Sequence, residues 1–191
     1  EIGSGLVGSE MCIRDRYGCD PKRIAVVEFG ANIDIQDVPA LPKQIDGKES
    51  LNIYFSTVNW VRKGGDVVLA CCEELIRRGL HITLHITGIK PEDPVTEKIN
   101  SISYVKNYGF LNKNNEEEYR KIINIMTESD IFLFPSRAEC SSIALCEANG
   151  FGLPCFAYDT GGTDNYVVNG VNGYMLSLIH ISEPTRPEPI S

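Results

Sequence analysis

The stretch between residues 131 and 162 places the strongest constraint on the fold, because two apolar strand patterns flank one helical pattern. The first apolar run, residues 131–134, ends at the turn-forming pair Pro135-Ser136, and the second, residues 154–158, ends at Asp159-Thr160-Gly161-Gly162. Between them, apolar residues recur at the spacing of one helix face. Parallel strands need a crossover connection, which is usually a helix. The stretch therefore predicts a strand–helix–strand unit.

The same alternation is found in the rest of the chain. Apolar runs predict strands at residues 24–29, 51–57, 81–89 and 104–111, and a further strand at residues 170–175. One helical pattern begins at Asp66 and stops before Gly79. Another follows the capping pair Asn114-Asn115 and runs to Glu128. Strands that alternate with helices predict an α/β fold, with a doubly wound parallel sheet covered on both faces.

The two ends of the chain, residues 1–16 and 176–191, show no such periodicity. Residues 13–16 can be encoded as ATA-AGA-GAC-AGx, and the reverse complement, read one base on, encodes Leu-Ser-Leu-Ile, which is the sequence of residues 176–179. We therefore interpret both ends as translated sequencing-adapter sequence and expect them to be disordered. On this hypothesis residues 17–175 form one domain that is truncated at both ends.

Composition limits the class of protein. The 191 residues are 42% hydrophobic and 23% charged, which is typical of a soluble globular domain. A net charge of −8 argues against a nucleic-acid partner. Seven cysteines without a C-x-x-C pair predict free thiols in a reducing compartment, and hence a cytoplasmic protein. No apolar run is long enough to predict a transmembrane segment, and no spacing of His and Cys predicts a metal site.

Two cations lie at a predicted strand-to-helix junction, where Arg62 and Lys63 precede Gly64 and Gly65. Ligands of doubly wound sheets bind beyond the carboxyl ends of the strands. Glycines allow the backbone to approach a ligand closely, and a helix N-terminus attracts phosphate. Arg62 and Lys63 are therefore candidates for binding a diphosphate, and the alternative is a basic pair in a solvated turn.

Two carboxylates, Glu139 and Glu147, flank the start of the predicted helix in an E-x7-E motif. If both residues were helical, eight positions would separate them by about 12 Å along the axis. The two catalytic carboxyls of a retaining glycosidase lie about 5 Å apart, so this pair is better suited to contacting two parts of one extended ligand. The alternative is two exposed helix carboxylates.

These motifs together resemble the C-terminal, donor-binding domain of family-four retaining GT-B glycosyltransferases. The resemblance rests on P-S, E-x7-E, G-x-P and T-G-G in the second half of the chain and on W-x-R-K-G-G in the first. It implies a Rossmann-like domain in which Glu139 contacts the transferred sugar, Glu147 the ribose, and Arg62 and Lys63 the diphosphate. It also implies donor contacts from the helix start, the glycine turn and the end of the fourth predicted strand: Ser141, Ser142, Ile143, Gly161, Gly162, Phe110 and Leu111.

The resemblance further implies sugar transfer with retention from a nucleoside diphosphate sugar, which is the donor substrate, without a cofactor or a metal. The N-terminal acceptor domain is expected to be missing, so that this chain alone is inactive, and that domain could place the enzyme peripherally at a membrane. Family members often have G-F-G-L after the first Glu, where this chain has Cys140-Ser141-Ser142-Ile143. This departure predicts a different sugar preference. Two alternatives stay open: a nucleotide-sugar binding module without turnover, and another GT-B enzyme such as an epimerase or a phosphorylase.

Overall fold

A computed structural model of the chain describes Asp20, Lys22 and residues 30–39 and 47–177. Within these ranges a single sheet contains six strands: β1 Ser50–Ser56, β2 His81–Thr87, β3 Val105–Asn107, β4 Ile131–Phe134, β5 Cys155–Tyr158 and β6 Gly173–Leu176. The α-helices of the same ranges are α1 Gly65–Arg77, α2 Val95–Asn100, α3 Glu116–Glu128 and α4 Ile143–Gly150. Short 3-10 helices span Ile35–Asp37 and Thr163–Asn165.

The strand order determines where a ligand can bind. All neighbours are parallel, in the order β3-β2-β1-β4-β5-β6. In the register of the central strands, Ile53 of β1 lies opposite Leu84 on one side and Ile131 on the other. The chain moves outward from β1 to β3 and then crosses back to β4, so the winding direction reverses between β1 and β4. Such a switch point opens a crevice at the carboxyl ends of the two strands. The predicted doubly wound α/β fold is confirmed.

Helices cover the two faces of the sheet in pairs. Helices α1 and α2 contribute Val68, Leu69 and Ile99 to one core cluster, which includes Leu133 of β4. Helices α3 and α4 contribute to a second cluster, which includes Phe132 and Phe134 of the same strand. Successive strand residues point to opposite faces, so β4 contributes to both clusters and is buried from both sides. This explains why its sequence is uniformly apolar.

Most predicted elements are present with shifted ends. The predicted strand at 104–111 is shorter and ends at Asn107, because Gly109 has a φ of 70° and its N–H donates to the Asn107 side chain. Helix α2 was not predicted, since it spans only six residues. Glu139 lies outside α4, which begins at Ile143, so the helical separation calculated for the two carboxylates does not apply.

Several predictions fall at or beyond the edges of the described ranges. The predicted strand at 24–29 and the segment 1–16 lie outside the described residues. Strand β6 includes Leu176, so the boundary that we placed before residue 176 falls inside a strand. In the described part of the chain, none of the helices combines the length and apolar character that crossing a membrane requires.

Candidate functional site

The loop between β1 and α1 places two cations at the switch point. Its turn is closed by Asn59, whose backbone oxygen accepts from the Lys63 N–H at 3.0 Å and whose side-chain oxygen accepts from the Arg62 N–H at 2.9 Å. Gly64 follows with a φ of 74°, and a Cβ atom there would lie 2.2 Å from the backbone oxygen of Pro135. Only glycine allows this approach, which brings the loop against the one that follows β4.

The loop that follows β4 supplies the anionic partner of these cations. The Lys63 ammonium forms an ion pair with Glu139 and lies 4.5 Å from the centre of the Phe134 ring. The Lys63 and Glu139 side chains are 12% and 9% exposed, whereas Arg62 is 42% exposed, with its Nη1 3.9 Å from Glu139 Oε2. Burial lowers the pKa of Lys63, and the hydrogen bond to Glu139 opposes that shift. The structure thus brings together the three residues that we predicted to contact the transferred sugar and the diphosphate.

The glycine turn after β5 packs directly on the backbone of Glu139. A Cβ atom at Gly161 would lie 1.6 Å from the Glu139 backbone oxygen, and one at Gly162 would lie 2.5 Å from that of Cys140. The Thr160 hydroxyl donates to the Ser136 backbone oxygen at 3.0 Å. The three loops surround an open pocket of 610 Å³, which is lined by Arg62, Arg137, Ala138, Glu139, Cys140, Thr160 and Gly161.

A second, smaller pocket of 110 Å³ contains the other predicted carboxylate. Glu147 lies inside α4, is only 7% exposed and forms an ion pair with Lys113. It is therefore not an exposed helix carboxylate. Phe110 and Leu111 line the same pocket, and Phe110 is 54% exposed. The remaining lining residues are Tyr54, Ser56, Val58, Thr87, Gly88, Lys113 and Ile122. Glu147, the predicted ribose contact, thus shares one cavity with Phe110 and Leu111, two of the predicted donor contacts.

Several residues of this second pocket were not predicted from the sequence. Lys113 was not predicted, although a buried carboxylate such as Glu147 requires a cation or several hydrogen-bond donors. The Tyr54 hydroxyl hydrogen-bonds the Thr87 hydroxyl at 2.9 Å, and burial raises the pKa of Tyr54. At Gly88 a Cβ atom would lie 2.4 Å from the Thr57 backbone oxygen. The one available signal was that a buried carboxylate needs a cation, and no local sequence pattern identified Lys113 as that cation.

The start of α4 has a local structural role. The Ser142 hydroxyl accepts from the Leu145 N–H at 3.3 Å and caps the helix, and the Ser141 hydroxyl hydrogen-bonds that of Tyr166 at 2.7 Å. Ile143 is 47% exposed. None of the three lines either pocket, whereas Cys140 lines the larger one. Donor contacts from Ser141, Ser142 and Ile143 stay a prediction.

Across the described residues, no group of three His, Cys, Asp or Glu side chains is arranged to hold a metal ion. The positive groups at the switch point are instead Arg62, Lys63 and the N-terminus of α1. This arrangement can bind an anion, with one carboxylate close by. The predicted independence from metal ions and cofactors stays a prediction.

Sequence comparison connects this geometry with known proteins. Residues 50–183 match the protein family described as "Glycosyl transferases group 1". The chain is 27% identical over 177 residues to a D-inositol 3-phosphate glycosyltransferase of Rhodococcus erythropolis, covering 86% of this chain and 39% of that protein. It is 27% identical over 184 residues to the UDP-Gal:alpha-D-GlcNAc-diphosphoundecaprenol alpha-1,3-galactosyltransferase of Escherichia coli, covering 88% of this chain and 45% of that protein. The chain spans less than half the length of these relatives.

Structural comparison agrees on the fold. The crystal structure of WaaG, a glycosyltransferase involved in lipopolysaccharide biosynthesis, superposes with a TM-score of 0.62 at 21% identity. The match covers 86% of this chain and 46% of WaaG. At that identity the similarity establishes a common Rossmann-like architecture, and any shared specificity needs separate evidence.

Proposed function

The chain belongs to the glycosyl transferases group 1 family, and we propose that it forms the donor-binding part of an enzyme that transfers a sugar from a nucleoside diphosphate sugar to an acceptor with retention. The observation that supports this most is the pair of carboxylate–lysine contacts around the switch point. Glu139, which lines the larger pocket, pairs with Lys63, and Glu147 pairs with Lys113 inside the smaller pocket. Two separate carboxylates, each able to accept hydrogen bonds from hydroxyl groups, suit the two ends of a nucleotide sugar.

The smaller pocket suits the nucleoside. Helix α4 fixes Glu147 in a buried position, where its carboxylate can accept hydrogen bonds from ribose hydroxyls. The exposed face of Phe110 is available for contact with a base, and Leu111 adds apolar surface. A volume of 110 Å³ is too small to enclose a whole nucleoside, so the base would rest on the rim beside Phe110.

The switch point suits the diphosphate. Arg62, Lys63 and the N-terminus of α1 all lie at the same end of the sheet. When the bond between sugar and diphosphate breaks, negative charge develops on the leaving oxygen. Positive groups that are already in place stabilise that charge without reorganisation. We propose that these groups supply the charge that the reaction needs without a metal ion or a cofactor.

The larger pocket suits the sugar. Glu139 is the one acidic residue that lines it, and its carboxylate can accept hydrogen bonds from sugar hydroxyls. Glu147 belongs to the other pocket, so we do not assign the two residues to a nucleophile and acid pair. Cys140 also lines the larger pocket, at the position where the sequence departs from the common family pattern. We propose that this segment contributes to donor preference.

The acceptor site of the whole enzyme lies outside this chain in our proposal. The curated relatives are more than twice as long as the aligned region, and an N-terminal acceptor domain would close the cleft over the donor. We propose that the described chain binds nucleotides in the cytoplasm but transfers sugar only together with that domain. An acceptor on a lipid carrier, as in the name of the E. coli relative, would place the complete enzyme peripherally at a membrane.

Calorimetric titration of the chain with UDP, ADP and GDP tests the donor site. We expect one of these nucleotides to bind, and Glu147→Gln to weaken its binding about tenfold, because a neutral amide is a poorer acceptor for ribose hydroxyls than a carboxylate. Glu74→Gln, on the exposed side of α1, is the matched control and should leave affinity unchanged. Absence of nucleotide binding, or equal affinity in wild type and Glu147→Gln, would contradict the proposal.

Product analysis with UDP-sugars then separates the alternatives. A binding module leaves the nucleotide sugar intact even when the acceptor domain is supplied. An epimerase converts the sugar of the nucleotide without any acceptor, and a phosphorylase consumes inorganic phosphate. The proposed transferase releases nucleoside diphosphate in step with a glycosylated acceptor, and only when both domains are present.

A further inference from the structure

Arg137 joins the loops on which Lys63 and Glu139 lie. Its guanidinium donates two hydrogen bonds to the Asp66 carboxylate, at 2.9 and 2.7 Å, and one to the Val61 backbone oxygen at 2.5 Å. Its backbone N–H donates to the Arg62 oxygen at 2.8 Å. Two of these bonds run from the loop after β4 to the loop between β1 and α1, and the other two run to the first turn of α1.

A return contact runs in the opposite direction. The Arg62 guanidinium donates to the Ala138 backbone oxygen at 3.1 Å. Each loop therefore extends an arginine to the other, next to the Lys63–Glu139 ion pair. The close approach at Gly64 and Pro135 adds a third connection. The two loops are thus tied together beside the groups that we assign to the diphosphate and the sugar.

The position of the Asp66–Arg137 pair argues against a role in global stability. Their side chains are 60% and 39% exposed, and exposed ion pairs contribute little to the free energy of unfolding. The geometry is nevertheless specific, because a bidentate arginine–carboxylate pair fixes the orientation of both partners. Hydrogen bonds from Arg137 lower the pKa of Asp66, so the carboxylate stays ionised at neutral pH. An oriented, exposed pair between two site loops suits local positioning.

We propose that Asp66 and Arg137 form a clamp that sets the separation of Lys63 and Glu139 and so prepares the site for a diphosphate. This inference rests on the proposed donor site. Arg137 lines the larger pocket, but Asp66 and Val61 occupy its guanidinium. It therefore acts as a positioning residue, through the loop that contains Lys63. Asp66, in the first turn of α1, is the part of the clamp that belongs to the rigid scaffold.

Binding measurements on Asp66→Asn, Arg137→Lys and the double variant test the clamp. Loss of positioning should weaken nucleoside diphosphate binding about tenfold in each single variant, because displacements of about 1 Å at a site are costly. The double variant should match the single ones, since residues acting as one unit are not additive. The matching nucleoside monophosphate, which lacks the outer phosphate, should lose less than about twofold. Glu74→Gln is the control, because Glu74 and Arg77 form another exposed bidentate pair on the far part of α1.

A second measurement needs no ligand. Hydrogen exchange of the free chain should become faster at residues 59–64 and 136–140 in both single variants, while the thermal unfolding midpoint stays that of the wild type. If the wild type binds no nucleoside diphosphate, the proposed function fails and hydrogen exchange still decides whether the clamp exists. Unchanged exchange in Asp66→Asn overturns the clamp. So does tighter diphosphate binding in Asp66→Asn with weaker binding in Arg137→Lys, since Arg137 would then be a direct phosphate ligand.

Discussion

The two lysine–glutamate pairs are chemically alike but differ in how the chain supports them. In each pair, a lysine from the β1–β3 half of the sheet meets a glutamate from the β4–α4 unit, and both glutamate side chains are 9% exposed. Glu139 lies on a loop beside an open pocket, whereas Glu147 lies in the middle of a helix. A loop can turn its carboxylate toward water when its partner is lost, and a helix cannot. The Lys63 pair should therefore matter for ligand binding and the Lys113 pair for stability.

The largest effect is expected from Lys63→Ala. Removing this cation takes away the main partner that we propose for the diphosphate, and truncating one member of a buried charged pair costs about 2–5 kcal/mol in binding. Nucleoside diphosphate affinity should fall about 100-fold or more by calorimetric titration. Lys121→Ala, which removes an exposed lysine on α3, is the control and should have no effect. A loss of less than about threefold in Lys63→Ala would remove this lysine from the site.

The converse effect is expected from Lys113→Met. This change leaves Glu147 buried without its cation, and an unpartnered buried polar group costs about 1–3 kcal/mol. The free energy of unfolding, measured with urea, should fall by about 2 kcal/mol. Lys113→Arg, which keeps the positive charge, should retain most of the wild-type free energy of unfolding. Lys63→Ala should change stability less, because the Glu139 loop can relax into the open pocket. Equal destabilisation by Lys113→Met and Lys63→Ala would show that the loop of Glu139 cannot relax more easily than the helix of Glu147.

The contact at Gly161 offers a way to disturb the Lys63–Glu139 pair and leave the Lys113–Glu147 pair intact. Gly161→Ala adds backbone strain at a φ of 57° and drives a methyl group against the Glu139 backbone oxygen. Gly152→Ala adds comparable strain at a φ of 66°, with no atom within 4 Å of the added carbon. Both variants should lose about 1–2 kcal/mol of stability from strain. Only Gly161→Ala should also weaken nucleoside diphosphate binding, by about tenfold. Equal affinities in the two variants would separate the glycine turn from the Glu139 site.

The same comparison shows what the sequence can and cannot predict. Arg62, Lys63 and Glu139 stand in local motifs near element boundaries, and Glu147 stands in the helix that follows, so their place at one end of the sheet could be predicted. Lys113 could not be, because its partner is 34 positions away and no periodicity connects them. The contact between Asp66 and Arg137 could not be predicted either, because 71 positions separate the two residues. Local patterns specified the strands and helices. Partners that meet across the switch point depend on the strand order, which no local pattern contains.

Short elements were the other source of error. Helix α2 has six residues, too few for a helical period to be recognised in the sequence. The predicted strand at 104–111 was too long because the apolar residues after Asn107 belong to a loop. That loop brings Phe110 and Leu111 to the smaller pocket. Phe110 and Leu111 thus line a pocket, although the strand assigned to them was wrong, and their contact with a donor stays a prediction.

The smallest effect concerns the dependence of binding on pH. Burial lowers the pKa of Lys63 from its ordinary value of 10.5, so this lysine loses its proton at a lower pH than an exposed one. Nucleoside diphosphate affinity should therefore decline as pH rises toward 10.5, and the decline should begin at a lower pH than an exposed lysine would give. The stability of the ligand-free protein should change with pH in the opposite direction to the affinity. The unfolded chain keeps that proton up to a pH of about 10.5, so below this pH it binds more protons than the folded state does. The contribution of Lys63 to the free energy of unfolding therefore rises with pH. Lys63→Arg stays charged and should remove the alkaline decline in affinity. A decline that persists in Lys63→Arg would assign it to a different group.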